Sequence, residues 1–102
     1  MKIAIATQDN DPCAEISQRG ARARFFQIYD ADGQLKEVLD NPYAANDHRV
    51  GPDVARLLNS LQVTAVAAGS FGPRFAEALQ SVNIERLMQT GVAARVARQL
   101  CT

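Results

Sequence analysis

The residues best suited to chemistry form the segment Gly69-Ser70-Phe71-Gly72-Pro73, which follows the apolar run from Val63 to Ala68. That run predicts a buried strand, and Pro73 suits the first turn of a helix. At a strand-to-helix junction, unpaired backbone N–H groups and the helix dipole attract anions, and the glycines let a ligand approach the backbone closely. The segment is neither a P-loop nor a dinucleotide fingerprint, so an ordinary strand-to-helix turn explains it equally well.

Two other segments are expected at the same end of the sheet. Thr90-Gly91 lies between a predicted strand and a predicted helix, which it is expected to cap, and the loop that contains His48 and Arg49 precedes a helix that begins near Gly51. Ligands of open α/β sheets bind beyond the carboxyl ends of the strands. We therefore expect these loops to converge.

Arginine and histidine are the side chains that could contact an anion there. Nine of the eleven basic residues are arginine, and three of them crowd into residues 19–24. The guanidinium fork suits planar or multi-oxygen anions, although a solvated loop would have the same composition. His48 could be a ligand of a metal or sulfide cluster, a hydrogen-bond donor to an anion, or an exposed loop residue. A solitary histidine favours the last, since metal sites usually need three or four ligands.

Several kinds of catalytic or metal site find little support. The sequence around Ser70 is not Gly-x-Ser-x-Gly, and the predicted strands at 2–7 and 63–68 lack the carboxylates that a two-metal nuclease needs. Asp9 and Asp11 are a fragment of a calcium loop at most, and turn formation explains them as well. Cys13 is a potential soft ligand, but a free loop cysteine is the simpler interpretation.

Hydrophobic periodicity predicts the elements that must position these loops. Strands are predicted at 2–7, 25–30, 35–39, 63–68 and 84–88, and the Asp32-Gly33 pair predicts a hairpin turn before an edge strand. Apolar residues at helical spacing predict three helices, marked by Val54, Leu57, Leu58 and Leu61, by Phe75, Leu79 and Val82, and by Val92, Val96 and Leu100. The order β-β-β-α-β-α-β-α predicts a three-layer α/β domain with a mixed sheet.

Length and charge narrow the classes of protein. A chain of 102 residues, 47% of them hydrophobic, predicts one globular domain with a packed core. Eleven basic residues balance eleven acidic ones, which argues against a general nucleic-acid or membrane-surface binder. The two cysteines, Cys13 and Cys101, show no metal or redox spacing and fit a reducing compartment. The expected location is the cytoplasm.

Blocks spread along almost the whole chain resemble one family. The chain is similar to the nitrogenase iron–molybdenum cofactor biosynthesis family, which includes NifX-like and NifB C-terminal-like domains and small orange proteins. The blocks that carry the resemblance are residues 1–6, 17–30, Asn41-Pro42 followed by His48, Ala68 to Pro73 with Glu77-Ala78-Leu79, and Thr90-Gly91. In the first loop the family often has Ser-x-His-Phe-Gly-Arg. Here Ser17 and Arg22 keep their places, while the histidine and the Phe-Gly pair are replaced. The family commonly has Gly after the histidine, where this chain has Arg49.

The resemblance implies a single ribonuclease H-like domain over residues 1–102 with a five-stranded mixed sheet. It implies a non-enzymatic carrier of a metal–sulfur cluster: an iron–molybdenum cofactor precursor or a related molybdenum, iron or copper sulfide. Partners would be cofactor-assembly or nitrogenase-related proteins. With the loops above, the expected cluster-binding residues are Ser17, Arg22, His48, Arg49, Gly69, Ser70, Phe71, Gly72, Pro73, Thr90 and Gly91, with His48 the candidate metal ligand. Two alternatives stay open: a protein-interaction or regulatory module that has lost its cluster, and an enzyme acting on small phosphorylated molecules.

Overall fold

A mixed five-stranded sheet with three helices forms the molecule. The computed structural model describes residues 2–11, 13–44 and 50–100, so the predictions for His48 and Arg49 lie outside the described residues. The elements are β1 (Ile3–Thr7), β2 (Phe25–Tyr29), β3 (Leu35–Asp40), α1 (Val50–Ser60), β4 (Ala65–Ala68), α2 (Pro73–Ser81), β5 (Glu85–Met88) and α3 (Ala93–Leu100). The predicted α/β class with a mixed sheet is confirmed.

The sheet combines an antiparallel half with a parallel half. Its strand order is β3-β2-β1-β4-β5, with β1–β2 and β2–β3 antiparallel and β1–β4 and β4–β5 parallel. The strand β3 lies at an edge, as predicted. The carboxyl ends of β1, β4 and β5 therefore meet at one edge of the sheet, where the loops that follow them come together.

Each face of the sheet has its own hydrophobic core, which makes the fold three layers deep. Because successive side chains of a strand point to opposite faces, Ala4 and Val66 pack with α1 and α2, whereas Ile5 and Ala67 pack with α3. All five residues of β1 and all four of β4 are buried. Burial on both faces explains why these strands read as continuous apolar runs.

Backbone hydrogen bonds between Asp30 and Gln34 (3.0 Å) and between Gly33 and Asp30 (3.1 Å) close the β2–β3 hairpin turn, and the Asp30 carboxylate reinforces it. Gly33 takes the positive φ of 80° that the Asp-Gly pair predicts. The Asp30 carboxylate accepts hydrogen bonds from the backbone N–H groups of Gln34 (3.0 Å) and Asp32 (2.9 Å), and it lies 3.3 Å from the Lys36 ammonium. The backbone hydrogen bond from Gln34 lowers the pKa of Asp30, as do the backbone hydrogen bond from Asp32 and the side-chain hydrogen bond from Lys36.

Asp30→Asn should therefore destabilise the protein at neutral pH but have little effect in strong acid. A carboxyl whose pKa is lowered by folding contributes stability above its unfolded pKa of about 4, and that stability is lost as the pH falls through the folded pKa. Urea unfolding of both proteins at pH 7 and near pH 2 measures the difference. Asp32→Asn is the control, because it removes the same charge from an exposed residue of the same turn. A difference that persists undiminished in acid would contradict the assignment.

Among the described residues, no helix has the length and apolar character needed to cross a membrane. The longest, α1, has 11 residues.

Candidate anion-binding site

A cavity of about 530 Å³ lies beside the loop that follows β4. Four segments form its walls: the loop after β1, the first described turn of α1, the loop after β4, and the first turn of α2. Its lining residues are Arg19, Gly20, Ala21, Arg22, Val50, Gly51, Ser70, Gly72, Pro73, Arg74 and Phe75. The structure thus brings together Arg22, Ser70, Gly72 and Pro73 from the residues predicted by sequence.

Three arginines give the cavity its charge. Arg19 and Arg22 come from the first loop and Arg74 from the first turn of α2, and no described lining residue is acidic. Arg24, the third arginine of the crowded run, lies outside the lining. Its guanidinium carbon lies 5.4 Å from the centroid of the Phe25 ring. The run 19–24 is therefore divided between the cavity and a surface contact.

The start of α2 offers backbone donors to the same cavity. Gly72 precedes Pro73 with extended backbone (φ −66°, ψ 158°), and its carbonyl accepts the first helical hydrogen bond from Ala76 at 2.9 Å. The N–H groups of a helix's first turn, here those of Arg74 and Phe75, have no intrahelical partner, and both residues line the cavity. A Cβ atom at Gly72 would meet nothing within 4 Å, so the wall is open there.

The first loop is held in place by the loop after β4. The Ser17 N–H donates to the Ala6 carbonyl (2.7 Å), and the Gly69 N–H donates to the Ser17 carbonyl (2.7 Å). The Ser70 hydroxyl donates to the Gln18 carbonyl at 2.5 Å. A Cβ atom at Gly69 would lie 2.8 Å from the Gln18 Cα, which explains the glycine by contact between the two loops.

Phe71 does not line the cavity but packs against Phe75, which does. Its half-buried ring stacks on Phe75, with centroids 5.7 Å apart and planes 28° from parallel. Phe75 is almost fully buried and lines the cavity, so this aromatic pair joins the apolar part of the wall to the core between the sheet and α1 and α2.

Ser17 orients the loop after β1 and is not among the lining residues of this cavity. It is 2% exposed, and its hydroxyl accepts hydrogen bonds from the Gln8 amide (2.9 Å) and the Arg19 N–H (3.1 Å) and donates to the Arg19 carbonyl (3.0 Å). One donor and two acceptors are all that a hydroxyl has. Ser17 therefore directs the chain into Arg19.

Thr90 and Gly91 lie at the same edge of the sheet but next to α3, which packs on the opposite face from α1 and α2. The Gly91 carbonyl accepts from the Ile16 N–H (2.8 Å), and the Ala93 N–H donates to the Ala14 carbonyl (2.9 Å). A carbonyl of the loop after β1 thus accepts a hydrogen bond from one of the N–H groups at the start of α3. The structure does not bring Thr90 and Gly91 into the cavity with Arg22.

A second cavity, of about 550 Å³, adjoins the first at Arg19 and includes Ser17 and the exposed Cys13 in its lining. The Asp11 carboxylate accepts from the Cys13 N–H at 2.8 Å, which is the turn role weighed for it above. Among the described residues, no three histidine, cysteine, aspartate or glutamate side chains lie together as a metal site would require.

Two residues of the cavity, Arg74 and Gly51, are absent from the site residues expected from the sequence. Arg74 follows Pro73 directly, and a basic residue beside a predicted anion-binding turn was a signal that could have found it. Gly51 carried no such signal, because its importance comes from contact with a distant residue. A Cβ atom there would lie 2.8 Å from the Phe75 backbone nitrogen.

Comparison with known proteins agrees with the blocks noted in the sequence. Residues 1–101 match the model of a family described as dinitrogenase iron-molybdenum cofactor. The chain belongs to this family. A search of curated proteins finds no match.

Solved structures related to this dinitrogenase iron-molybdenum cofactor family member share its fold. A putative NifB protein from Thermotoga (TM1290), assigned to the DUF35 family, is 30% identical, with a TM-score of 0.79 over 97% of this chain and 87% of that one. The apo form of the orange protein from Desulfovibrio gigas is 26% identical, with a TM-score of 0.84 over 97% and 86%. The protein PH0822 is 21% identical, with a TM-score of 0.82 over 99% and 89%, and shows likeness of fold.

Proposed function

We propose that this protein binds and carries an anionic metal–sulfur cluster in the cavity beside α2. The observation that carries the proposal is the convergence of Arg19, Arg22 and Arg74 with the first turn of α2 around one space, without an acidic side chain among the described lining residues. Guanidinium groups and helix N-termini both favour negative charge. The family description, dinitrogenase iron-molybdenum cofactor, supports the same class of cargo.

The size and polarity of the cavity favour a cluster over a single small oxyanion. Its volume of about 530 Å³ leaves room for a ligand bulkier than one small oxyanion. The wall is part cationic and part apolar, with Phe75, Ala21 and Val50 beside the arginines. A sulfide-bridged anion is bulky and soft, so it can use both kinds of surface.

We propose that charge and hydrogen bonds hold the cargo, which brings its own sulfide ligands. His48 stays in the proposal as the candidate direct ligand, with Arg49 beside it; these two residues immediately precede Val50, which lines the cavity. Arg22, Ser70, Gly72 and Pro73 would line the cargo, Phe71 would support the wall, and Ser17 and Gly69 would fix the two loops. Thr90 and Gly91 would act through the loop that follows β1.

The proposal extends to the domain, the cellular location, the activity and the partners of the protein. The protein would be a single ribonuclease H-like domain that acts as a carrier in the cytoplasm without catalysing a reaction. It would exchange an iron–molybdenum cofactor precursor, or a related molybdenum, iron or copper sulfide, with cofactor-assembly proteins. A regulatory module of the same fold without a cluster is the alternative outcome of the test below.

Arg22→Gln and Arg74→Gln should each weaken cluster binding about 10- to 100-fold, because a hydrogen bond to a charged group contributes about 1.5–3 kcal/mol. Oxygen-free protein is titrated with tetrathiomolybdate and copper or iron, and uptake is followed by metal analysis and a charge-transfer band. Higher salt should also weaken binding, since the charges are accessible to solvent.

Arg24→Gln is the matched control, because it removes the same charge from a neighbouring residue that stacks on Phe25 outside the cavity. We expect it to bind almost as tightly as the unaltered protein. Equal losses in all three variants would show a general charge effect and refute the cavity as the site. Protein that stays colourless and metal-free would refute the carrier function and favour the regulatory module.

A further inference from the structure

One buried side chain connects the end of β3 to the loop that carries Arg22. Asn41 is 7% exposed. Its amide nitrogen donates to the carbonyls of Ala21 and Ala23, both at 2.8 Å. These carbonyls belong to the residues on either side of Arg22. The peptide unit before Arg22 and the one after Ala23 are thereby held by a single amide group.

The other polar atoms of Asn41 are also engaged. Its side-chain oxygen accepts from the Tyr43 N–H (3.0 Å), and its own N–H donates to the Arg24 carbonyl (2.9 Å). An amide with both donors and an acceptor bonded has one orientation. Asn41 therefore fixes the Arg22 loop and also the direction in which the chain leaves β3.

Backbone hydrogen bonds also hold the loop near Arg22. The Gly20 N–H donates to the Ser70 carbonyl at 3.1 Å, and the turn from Gly20 to Ala23 closes with a long hydrogen bond of 3.4 Å. Arg22 itself is exposed, and burial does not hold its backbone in place. An arginine whose backbone is fixed in advance loses less conformational freedom when it binds an anion.

We infer that Asn41 is a positioning residue for anion binding, acting through Arg22. The inference rests on the proposed function, since it assigns the cause of Arg22's placement in that cavity. It also gives a physical reason for the Asn-Pro pair. Asn41 holds the Arg22 loop by hydrogen bonds. Pro42 ends the strand because its nitrogen cannot donate a hydrogen bond to a neighbouring strand.

The test is a double-mutant cycle between Asn41 and Arg22. Affinity for tetrathiomolybdate with copper is measured for the unaltered protein, Asn41→Ala, Arg22→Gln and the double variant. We expect Asn41→Ala to weaken binding about tenfold and to reduce its dependence on salt. In the Arg22→Gln background, Asn41→Ala should cause almost no further loss, because the residue it positions has gone.

A stability control separates positioning from loss of structure. Val96→Ala lowers stability from the α3 face of the sheet, away from the cavity, and should leave affinity unchanged in the folded protein. Asn41→Ser provides a second variant if Asn41→Ala does not fold, since the shorter hydroxyl cannot reach both carbonyls.

Three results would decide against the inference. Losses from Asn41→Ala and Arg22→Gln that multiply independently would overturn it and leave the proposed function standing. Unchanged affinity in both Asn41 variants, with Arg22→Gln still impaired, would also overturn the inference and leave the proposed function standing. Absence of uptake by the unaltered protein would refute the proposed function itself, and with it the role of Asn41.

Discussion

Gly51→Ala should destabilise the protein by about 3 kcal/mol, which is the upper part of the range for overpacking a closely packed contact. The added Cβ would lie 2.8 Å from the backbone nitrogen of Phe75 and 2.9 Å from its Cα. These atoms belong to α2, so α1 and α2 would have to move apart. The gain in helix propensity from glycine to alanine, about 1 kcal/mol, offsets only part of this cost. Urea unfolding measures the change.

Gly72→Ala is the matched control for Gly51→Ala. Both glycines line the same cavity, and both variants add one methyl group. Gly72 has ordinary extended backbone and open space within 4 Å of its would-be Cβ, so its variant should stay within about 0.5 kcal/mol of the unaltered protein. Equal stability of the two variants would mean that α1 and α2 do not depend on the Gly51 contact.

The order of strands and helices could be predicted from the sequence because each element has its own pattern of residue types. The predictions from the β-branched residues of β1, the aromatic and β-branched residues of β2, the Asp-Gly turn at Gly33 and the helical spacing of Val54 and Leu58 agree with the structure. Element ends differ by a residue or two. The strand β4 begins at Ala65, two residues after the start of the apolar run at Val63, although Thr64 already donates to the Lys2 carbonyl at 2.9 Å.

The site was only partly accessible, because its geometry depends on contacts between distant residues. Sequence placed Gly69, Gly72, Thr90 and Gly91 at one end of the sheet, but it could not show that α3 lies on the opposite face from α2. Nor could it distinguish Gly69, which makes room for Gln18, from Gly72, which borders open space. The cationic cavity needed Arg74 beside Arg19 and Arg22, and these are more than fifty residues apart in the chain.

Breaking a buried polar pair on the α3 face of the sheet should have the second large effect on stability. Gln27 is fully buried; its amide nitrogen donates to the Asp11 carbonyl (2.8 Å), and its oxygen accepts from the Tyr29 hydroxyl (2.5 Å). Burial raises the pKa of Tyr29, so the hydroxyl stays protonated at neutral pH and remains a donor. Gln27→Leu removes the partner of both the hydroxyl and the Asp11 carbonyl. Leaving a buried polar group unpaired costs about 1–3 kcal/mol, so we expect a loss of about 3 kcal/mol.

The double variant Gln27→Leu with Tyr29→Phe separates this cost from packing. Replacing both partners of a buried hydrogen bond by apolar groups of similar shape can be nearly neutral, so the double variant should recover about 1–2 kcal/mol relative to Gln27→Leu alone. Chemical denaturation of the two single variants and the double variant gives the coupling directly. A double variant no more stable than Gln27→Leu would show that the loss comes from the released Asp11 carbonyl and altered packing. In that case Gln27 would matter chiefly as the tether of the loop after β1, which also carries Cys13 and leads into Ser17.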